Sequence, residues 1–165
     1  MKHNLPIFLF LFFSGCASAP TREIDPADFH VLAGNQWVGT LTYLDYGNGR
    51  KTSIASTLVV TQSSDNKLKW IFNFQYPDEP KANQKSDVML AADGGMVDSN
   101  TVVEKKYLPD GTLKFVTERN DKDNNKAALL RYTYLYTATK LSIKKEVKYE
   151  GASDFIERNE YSWKR

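Results

Sequence analysis

Apolar and polar residues alternate along most of the chain, most clearly in the segment 68–76, LKWIFNFQY. Successive side chains of a β-strand point to opposite faces, so a period of two predicts a strand with one buried face. The positions that share the apolar face in this segment are Leu68, Trp70, Phe72, Phe74 and Tyr76.

Similar segments recur at short intervals, separated by turn-forming sequences such as GNGR, LPDG and EGAS. Their spacing is typical of an antiparallel sandwich or an up-and-down barrel. Sequential hairpins favour the barrel, because closure removes the two exposed sheet edges. We therefore predict an all-β fold, an antiparallel up-and-down β-barrel of about 8–10 strands. The predicted strands are 37–46, 52–61, 68–76, 86–91, 101–107, 112–118, 128–136, 141–149 and 155–164.

One segment before the strands, DPADFHVLAG, has the pattern of a short helix. Asp25 is the expected N-cap, Pro26 takes the first helical position, Asp28 lies in the first turn and Gly34 ends the helix. His30 lies on this helix with no partner motif, so we expect its side chain to be exposed.

The N-terminal residues carry a targeting pattern. One basic residue, Lys2, precedes the apolar stretch 5–13. This stretch is too short to cross about 30 Å of hydrocarbon as a helix, and it is typical of a secretory signal. It leads into Phe13-Ser14-Gly15-Cys16, which resembles the lipobox of bacterial lipoproteins, although that family usually has an aliphatic residue in place of Phe13.

The lipobox resemblance implies that the Cys16 sulfur receives a diacylglycerol, that residues 1–15 are removed, and that the new amino group is acylated, as by palmitate. It divides the chain into a signal peptide (1–15), a lipidated tether (16–24) and a barrel domain (25–165). Ala17 after the cysteine implies an anchor in the outer membrane that faces the periplasm. Because Cys16 is the only cysteine, no thiol remains for a disulfide, a nucleophile or a metal.

Charge and motifs exclude several classes of function. The formal net charge is +2, from 22 basic and 20 acidic residues, whereas nucleic-acid binding calls for a basic face. The sequence has no Gly-rich phosphate loop and no Gly-x-Ser-x-Gly motif. We therefore predict no nucleic-acid partner, no cofactor and no enzymatic activity.

A second resemblance covers residues 26–165. The helix ending VLAG, Trp37 at the start of the first strand, the meander and an aromatic last strand with Arg158 resemble the lipocalin-like barrels. The resemblance implies a barrel in which Trp37 and Arg158 pack together at the closed end. The sequence departs from that pattern in having one extra residue between Gly34 and the tryptophan. It also lacks the late histidine that haem-binding barrels need.

Turn lengths predict a polar group on the inner wall of the last three strands. The TATK turn places Tyr132 opposite Lys145, and a three-residue turn places Lys145 opposite Glu157, with Asn159 beside Ile143. One interpretation is a wet cavity in which Lys145 and Tyr132 hold the carboxylate or phosphate head of a lipid-like ligand. Two others remain open, an ion pair that satisfies itself at the barrel mouth and a one-residue slip that puts these groups in solvent.

The segment NDKDNNK offers oxygen ligands at Asp121, Asp123 and Asn125, like the start of a calcium loop. It lacks the glycine and the glutamate that complete such a loop, so we predict a solvated hairpin loop and no metal site.

The leading hypothesis is therefore a lipid-anchored, non-catalytic envelope protein whose barrel binds a small hydrophobic or amphipathic molecule. The alternative is a protein–protein interaction module whose barrel interior is filled by aromatic side chains. A hydrolase that uses interior carboxylates is a third and weaker hypothesis. An interior void above about 300 Å³ favours the first hypothesis, and a packed interior favours the second.

Overall fold

The computed structural model describes residues 22–165. The signal peptide, Cys16 and most of the tether lie outside these residues. The described chain forms one α-helix, one short 3₁₀ helix and ten strands. They are α1 (Pro26–His30), β1 (Trp37–Leu44), β2 (Lys51–Gln62), β3 (Lys69–Gln75), the 3₁₀ helix Pro80–Ala82, β4 (Gln84–Met89), β5 (Met96–Val97), β6 (Asn100–Tyr107), β7 (Leu113–Asp123), β8 (Lys126–Tyr136), β9 (Lys140–Tyr149) and β10 (Ile156–Lys164).

The strands form one antiparallel sheet in the order β4-β3-β2-β1-β10-β9-β8-β7-β6-β5. The pairing of β1 with β10 joins the two ends of the meander. The outermost strands meet at a single bridge between Leu90 and Val97. The fold is thus a nearly closed, ten-stranded up-and-down barrel. The predicted fold class is confirmed, and the architecture is compatible with a lipocalin-like fold.

Aromatic side chains fill the barrel end near α1. The apolar face predicted for β3 points inward, and Trp70 and Phe72 are buried on it. The Phe29 ring of α1 lies 5.8 Å from the Trp70 ring and 6.0 Å from the Phe115 ring. This half of the interior is therefore packed by the helix and the strands together.

Local hydrogen bonds fix the start of α1. The Asp25 carboxylate accepts from the Ala27 N–H at 2.7 Å, and the Asp28 carboxylate accepts from the Asp25 N–H at 2.8 Å. This capping box and Pro26 confirm the predicted helix start. The helix ends at His30, earlier than predicted, and the His30 side chain is exposed as expected.

Long-range contacts hold this helix across the barrel end. Lys105 Nζ donates to the Asp28 carboxylate at 2.7 Å and to the Glu23 carbonyl at 2.9 Å. The Ile24 N–H donates to the Gly94 carbonyl at 2.9 Å, which ties the incoming chain to the turn between β4 and β5. A side chain at Gly94 would meet the Ile24 backbone at 2.8 Å, so this close approach requires glycine.

Trp37 packs against Arg165, and the expected pairing with Arg158 is wrong. The Arg165 guanidinium lies 4.1 Å from the centre of the Trp37 ring. It also donates to the carbonyls of Val31 and Ala33, beyond the end of α1. Arg158 lies near the start of β10, at the other end of the barrel, because β10 runs toward α1 and only its last residues reach the helix.

We predict that Arg165→Ala lowers the free energy of unfolding by about 2 kcal/mol, because charge-assisted hydrogen bonds to helix carbonyls are lost. Arg165→Lys keeps the charge but lacks the planar guanidinium group. Its free energy of unfolding should therefore lie between those of the unmodified protein and Arg165→Ala. Urea denaturation measures both. The exposed neighbour Lys164 is the control, and Lys164→Ala should change stability by less than about 0.5 kcal/mol. An equal effect at both positions would contradict the assignment.

Candidate functional site

The barrel end opposite α1 carries a group of polar side chains around the buried Asp123. It is here named the polar cluster and consists of Tyr46, Asp123, Lys145, Tyr149 and Arg158. Asp123 ends β7 and pairs with Lys126 across a two-residue turn. Asn124 and Asn125 form this turn with φ values of 48° and 63°, a left-handed conformation that asparagine tolerates. The tight turn keeps β7 regular as far as Asp123, whose side chain therefore points inward.

Asp123 is the centre of the polar cluster. Its carboxylate accepts hydrogen bonds from Lys145 Nζ at 3.0 Å, from Tyr149 OH at 2.9 Å and from Tyr46 OH. Arg158 Nε lies 3.5 Å away, and the Arg158 guanidinium stacks 3.3 Å from the centre of the Tyr46 ring. The Asp123 side chain is 7% exposed, and those of Lys145 and Arg158 are each 21% exposed.

These contacts set the protonation states. Burial alone raises the pKa of Asp123, but the hydrogen bonds from Tyr46, Lys145 and Tyr149 outweigh it, so the pKa lies below its usual value. Burial and the hydrogen bond to Asp123 raise the pKa of Tyr46. Two cations, Lys145 and Arg158, thus face one carboxylate. The cluster carries a net charge of +1 and can accept one further anionic group.

A row of polar side chains crosses the inner wall beside this cluster. Strand pairing places Thr117 opposite Tyr132, Tyr132 opposite Lys145, Lys145 opposite Asn159, and Asn159 opposite Tyr43. We name these five residues the polar row. Tyr43, Tyr132, Lys145 and Asn159 are half-buried, whereas Thr117 is fully buried. Lys145 belongs to both groups and joins them.

The polar row separates two apolar regions. The large core cluster lies toward α1 and includes Phe115 and Ile143, each two residues before a member of the row. A smaller cluster lies on the other side and consists of Ala128, Leu130 and Val147. The interior is therefore apolar, then polar, then apolar along the barrel axis.

Several buried polar atoms have no hydrogen-bond partner within residues 22–165. Five of them are on inward-facing positions, Ser56 Oγ, Trp70 Nε1, Thr117 Oγ1, Arg119 Nε and Trp163 Nε1. A buried polar atom without a partner costs free energy, so such atoms indicate bound water or a bound polar ligand.

The structure brings together three of the four predicted site residues. Tyr132 lies opposite Lys145, as predicted. The predicted register of the last strand is wrong, because the pairing is already shifted by one residue at Glu157 and a bulge at Arg158 shifts it by one more. Asn159 therefore lies opposite Lys145, and Tyr161 takes the place opposite Ile143.

Glu157 is not part of the inner wall. It lies opposite Glu146, on the outer face of the sheet, and its carboxylate contacts Lys51 Nζ at 2.6 Å. Lys145 instead forms its ion pair with Asp123.

Sequence reasoning missed Asp123, Arg158, Tyr46 and Tyr149 as members of one cluster. The predicted solvated loop is wrong for Asp123, which is buried at the end of β7. The dipeptide Asn124-Asn125 was the available signal, because two residues that tolerate positive φ mark a two-residue hairpin turn. Within residues 22–165, no group of three or more His, Cys, Asp or Glu side chains is placed to hold a metal ion.

The outer face carries a groove of about 680 Å³ over strands β6 to β10. Its floor includes Val116, which is buried although it faces outward, and Thr133. Charged residues surround this floor: Glu104, Lys114, Glu118, Arg131, Lys144, Glu146, Glu157 and Glu160. Most of these charges are paired, for example Arg131 with Glu118 at 2.6 Å.

Comparison with known proteins gives no identification, since no family model matches the chain and no curated protein matches it. In the part of the chain that the structure describes, none of the helices has the length and apolar character needed to span a membrane.

We predict that Asp123→Asn lowers the free energy of unfolding at neutral pH by about 3 kcal/mol, because Lys145 and Arg158 lose their shared counter-ion. The lowered pKa of Asp123 means that its contribution is complete above the unfolded pKa, about 4, and is lost as the pH falls through the folded pKa. Urea denaturation from pH 7 down to pH 3 should therefore show a steeper loss for the unmodified protein than for Asp123→Asn.

Asp121→Asn provides the matched control, because Asp121 lies on the same strand and is exposed, in an ion pair with Arg119. Exposed pairs contribute about 0–1 kcal/mol, so this variant should retain the acid dependence. Parallel pH profiles for the unmodified protein and Asp123→Asn would refute the central role of Asp123.

Proposed function

We propose that this protein is a non-catalytic, lipid-anchored envelope protein whose barrel binds one small amphipathic molecule with an anionic group. The polar row carries this proposal, because it places five polar side chains in sequence across the inner wall between two apolar clusters. An amphipathic ligand has the same division into polar and apolar parts. Ligand pockets typically combine apolar walls with a few convergent polar groups.

The charge and exposure of the row support an anionic ligand group. Lys145 and Arg158 exceed Asp123 by one positive charge. Tyr132 and Asn159 add hydrogen-bonding groups beside Lys145, and both are half-buried on an inward-facing wall. Partial exposure of inward-facing residues means that solvent reaches this part of the interior. A carboxylate or phosphate there would gain charge-assisted hydrogen bonds.

The envelope location rests on the lipobox resemblance at Cys16. The described chain begins at Arg22, on the side of α1. Six residues of extended chain span about 20 Å, so a lipid on Cys16 would hold the α1 end of the barrel close to the membrane. The polar cluster at the opposite end would then face away from the membrane.

Native mass spectrometry of the purified protein tests ligand binding directly. A discrete additional mass that leaves on denaturation would support the proposal and identify the class of the molecule. A bare protein mass, unchanged after incubation with envelope lipids, would contradict it.

We predict that Lys145→Met weakens binding of an anionic amphiphile by about tenfold or more, because a charge-assisted hydrogen bond contributes about 1.5–3 kcal/mol. Titration with lauric acid, followed by the quenching of tryptophan fluorescence, measures the change. Lys144→Met is the matched control, since Lys144 lies on the outer face and pairs with Glu146 at 3.3 Å. Equal affinity in both variants would exclude Lys145 as the anion-binding group.

We predict that Cys16→Ser abolishes acylation and moves the protein from the membrane fraction to the soluble fraction. Mass spectrometry of the mature protein and fractionation of cells measure the two effects. Retention in the membrane fraction without any acyl mass would show that another part of the chain provides the anchor.

The outer groove favours a second candidate function, a protein–protein interaction module. A concave surface of about 680 Å³ with an apolar floor and paired charges suits a polypeptide segment. This function gains support if the protein carries no small molecule. It gains further support if Thr133→Arg, in the groove floor, removes a crosslink to an envelope protein and Lys145→Met leaves that crosslink intact.

A further inference from the structure

The barrel wall is incomplete on one side. Strand β5 has only two residues, and its hairpin with β6 turns at Asp98 and Ser99 with φ values of 50° and 64°. The Asp98 N–H donates to the Met89 carbonyl at 2.7 Å, so the tip of this hairpin reaches only the last residue of β4. Between β4 and β7, the barrel wall therefore ends at this hairpin and does not extend as far from α1 as the two flanking strands do.

Both flanking strands continue beyond the hairpin tip. Segment 84–88 of β4 pairs only with β3, and segment 119–123 of β7 pairs only with β8. Within residues 22–165, neither segment has a strand neighbour on the side that faces the other. At the hairpin, three strand spacings of about 4.8 Å, about 14 Å in all, separate β4 from β7, and beyond its tip no strand of residues 22–165 lies between them. We name this gap the side opening.

We propose that the ligand enters and leaves through this side opening and not through the end of the barrel that the polar cluster covers. This inference rests on the proposed function. After the backbones and side chains of the two edges are subtracted, the opening suits an acyl chain or a single aromatic ring, and excludes a folded polypeptide.

The polar cluster obstructs the alternative path along the barrel axis. Tyr46 comes from the turn between β1 and β2, stacks on Arg158, and hydrogen-bonds to Asp123 and Tyr149. These contacts join β7, β9 and β10 to the turn that lies over them. Axial entry would require all of them to break, whereas side entry requires none of them to break.

The chemistry of the side opening suits an anionic group that moves to the polar row. Arg119 lies at the β7 edge, two residues from Thr117, which is the first member of the row. Its side chain is 35% exposed, its Nη2 pairs with Asp121 at 2.9 Å, and its Nε is buried without a partner within the described residues. A carboxylate or sulfonate can therefore pass from Arg119 to Thr117, Tyr132 and Lys145 by short steps.

Stopped-flow fluorescence with cis-parinaric acid, an anionic amphiphile with a single fluorescent acyl chain, tests the route. Gln84 and Ser86 alternate on the β4 edge and point inward, opposite Phe74 and Phe72. We expect Gln84→Trp and Ser86→Trp to lower the association and dissociation rates by about tenfold each, with little change in the dissociation constant, because both narrow the path and not the binding site. Two variants are measured so that the route is still tested if one of them fails to fold.

Lys85→Trp is the matched control, because Lys85 lies between these residues and points outward. It should leave both rates unchanged.

Each outcome decides the matter. Normal rates in folded Gln84→Trp and Ser86→Trp, or equally slowed rates in Lys85→Trp, would overturn the side opening as the route while the proposed function stands. Failure of the unmodified protein to bind the probe would overturn the proposed function itself, and the route with it.

Discussion

The pairing of β1 with β10 is the constraint on which the rest of the barrel depends. It joins the first and last strands in chain order and fixes the register between them. Gly39 makes this pairing possible, because a side chain there would place its Cβ 1.9 Å from the Ser162 carbonyl oxygen. Asn159 faces Tyr43 only in this register, so the closure of the barrel also completes the polar row.

The interior changes from apolar to polar with distance from α1. Near α1 the aromatic rings exclude water and fix the fold, as the stacked rings of Phe115 and Tyr134, 4.2 Å apart, illustrate. Further along the axis, the same strands present hydroxyl, amide and ammonium groups. Burial of polar groups costs free energy. The contacts with Asp123 offset this cost for Lys145 and Arg158. The Thr117 hydroxyl has no hydrogen-bond partner within the described residues that would offset it.

Much of the fold follows from local patterns in the sequence. Strict alternation in β3 predicts its inner face, and the capping residues predict the start of α1. The turn length after β8 predicts that Tyr132 faces Lys145. These predictions succeed because each one depends on neighbouring residues alone.

The remaining features depend on residues that are distant in sequence. The bulge at Arg158 shifts the register by one residue, and no local signal in the last strand distinguishes it from regular alternation. The stacking of Arg165 on Trp37 requires the barrel to be closed, so it cannot be inferred from either segment alone. For the same reason the four side chains that surround Asp123, which come from the turn after β1, from β9 and from β10, were not predicted as a group.

The attachment of the incoming chain has a mechanical consequence. Glu23 and Ile24 are held by single hydrogen bonds to Lys105 and Gly94, at the seam where β4 meets β5. A force applied to the N-terminus would load these two hydrogen bonds in sequence order before it loaded α1. The ladder between β1 and β10 would bear load only after the helix had left the barrel end. A protein pulled at this end would therefore lose these contacts of residues 23 and 24 before load reached the strand pairs that carry the polar row.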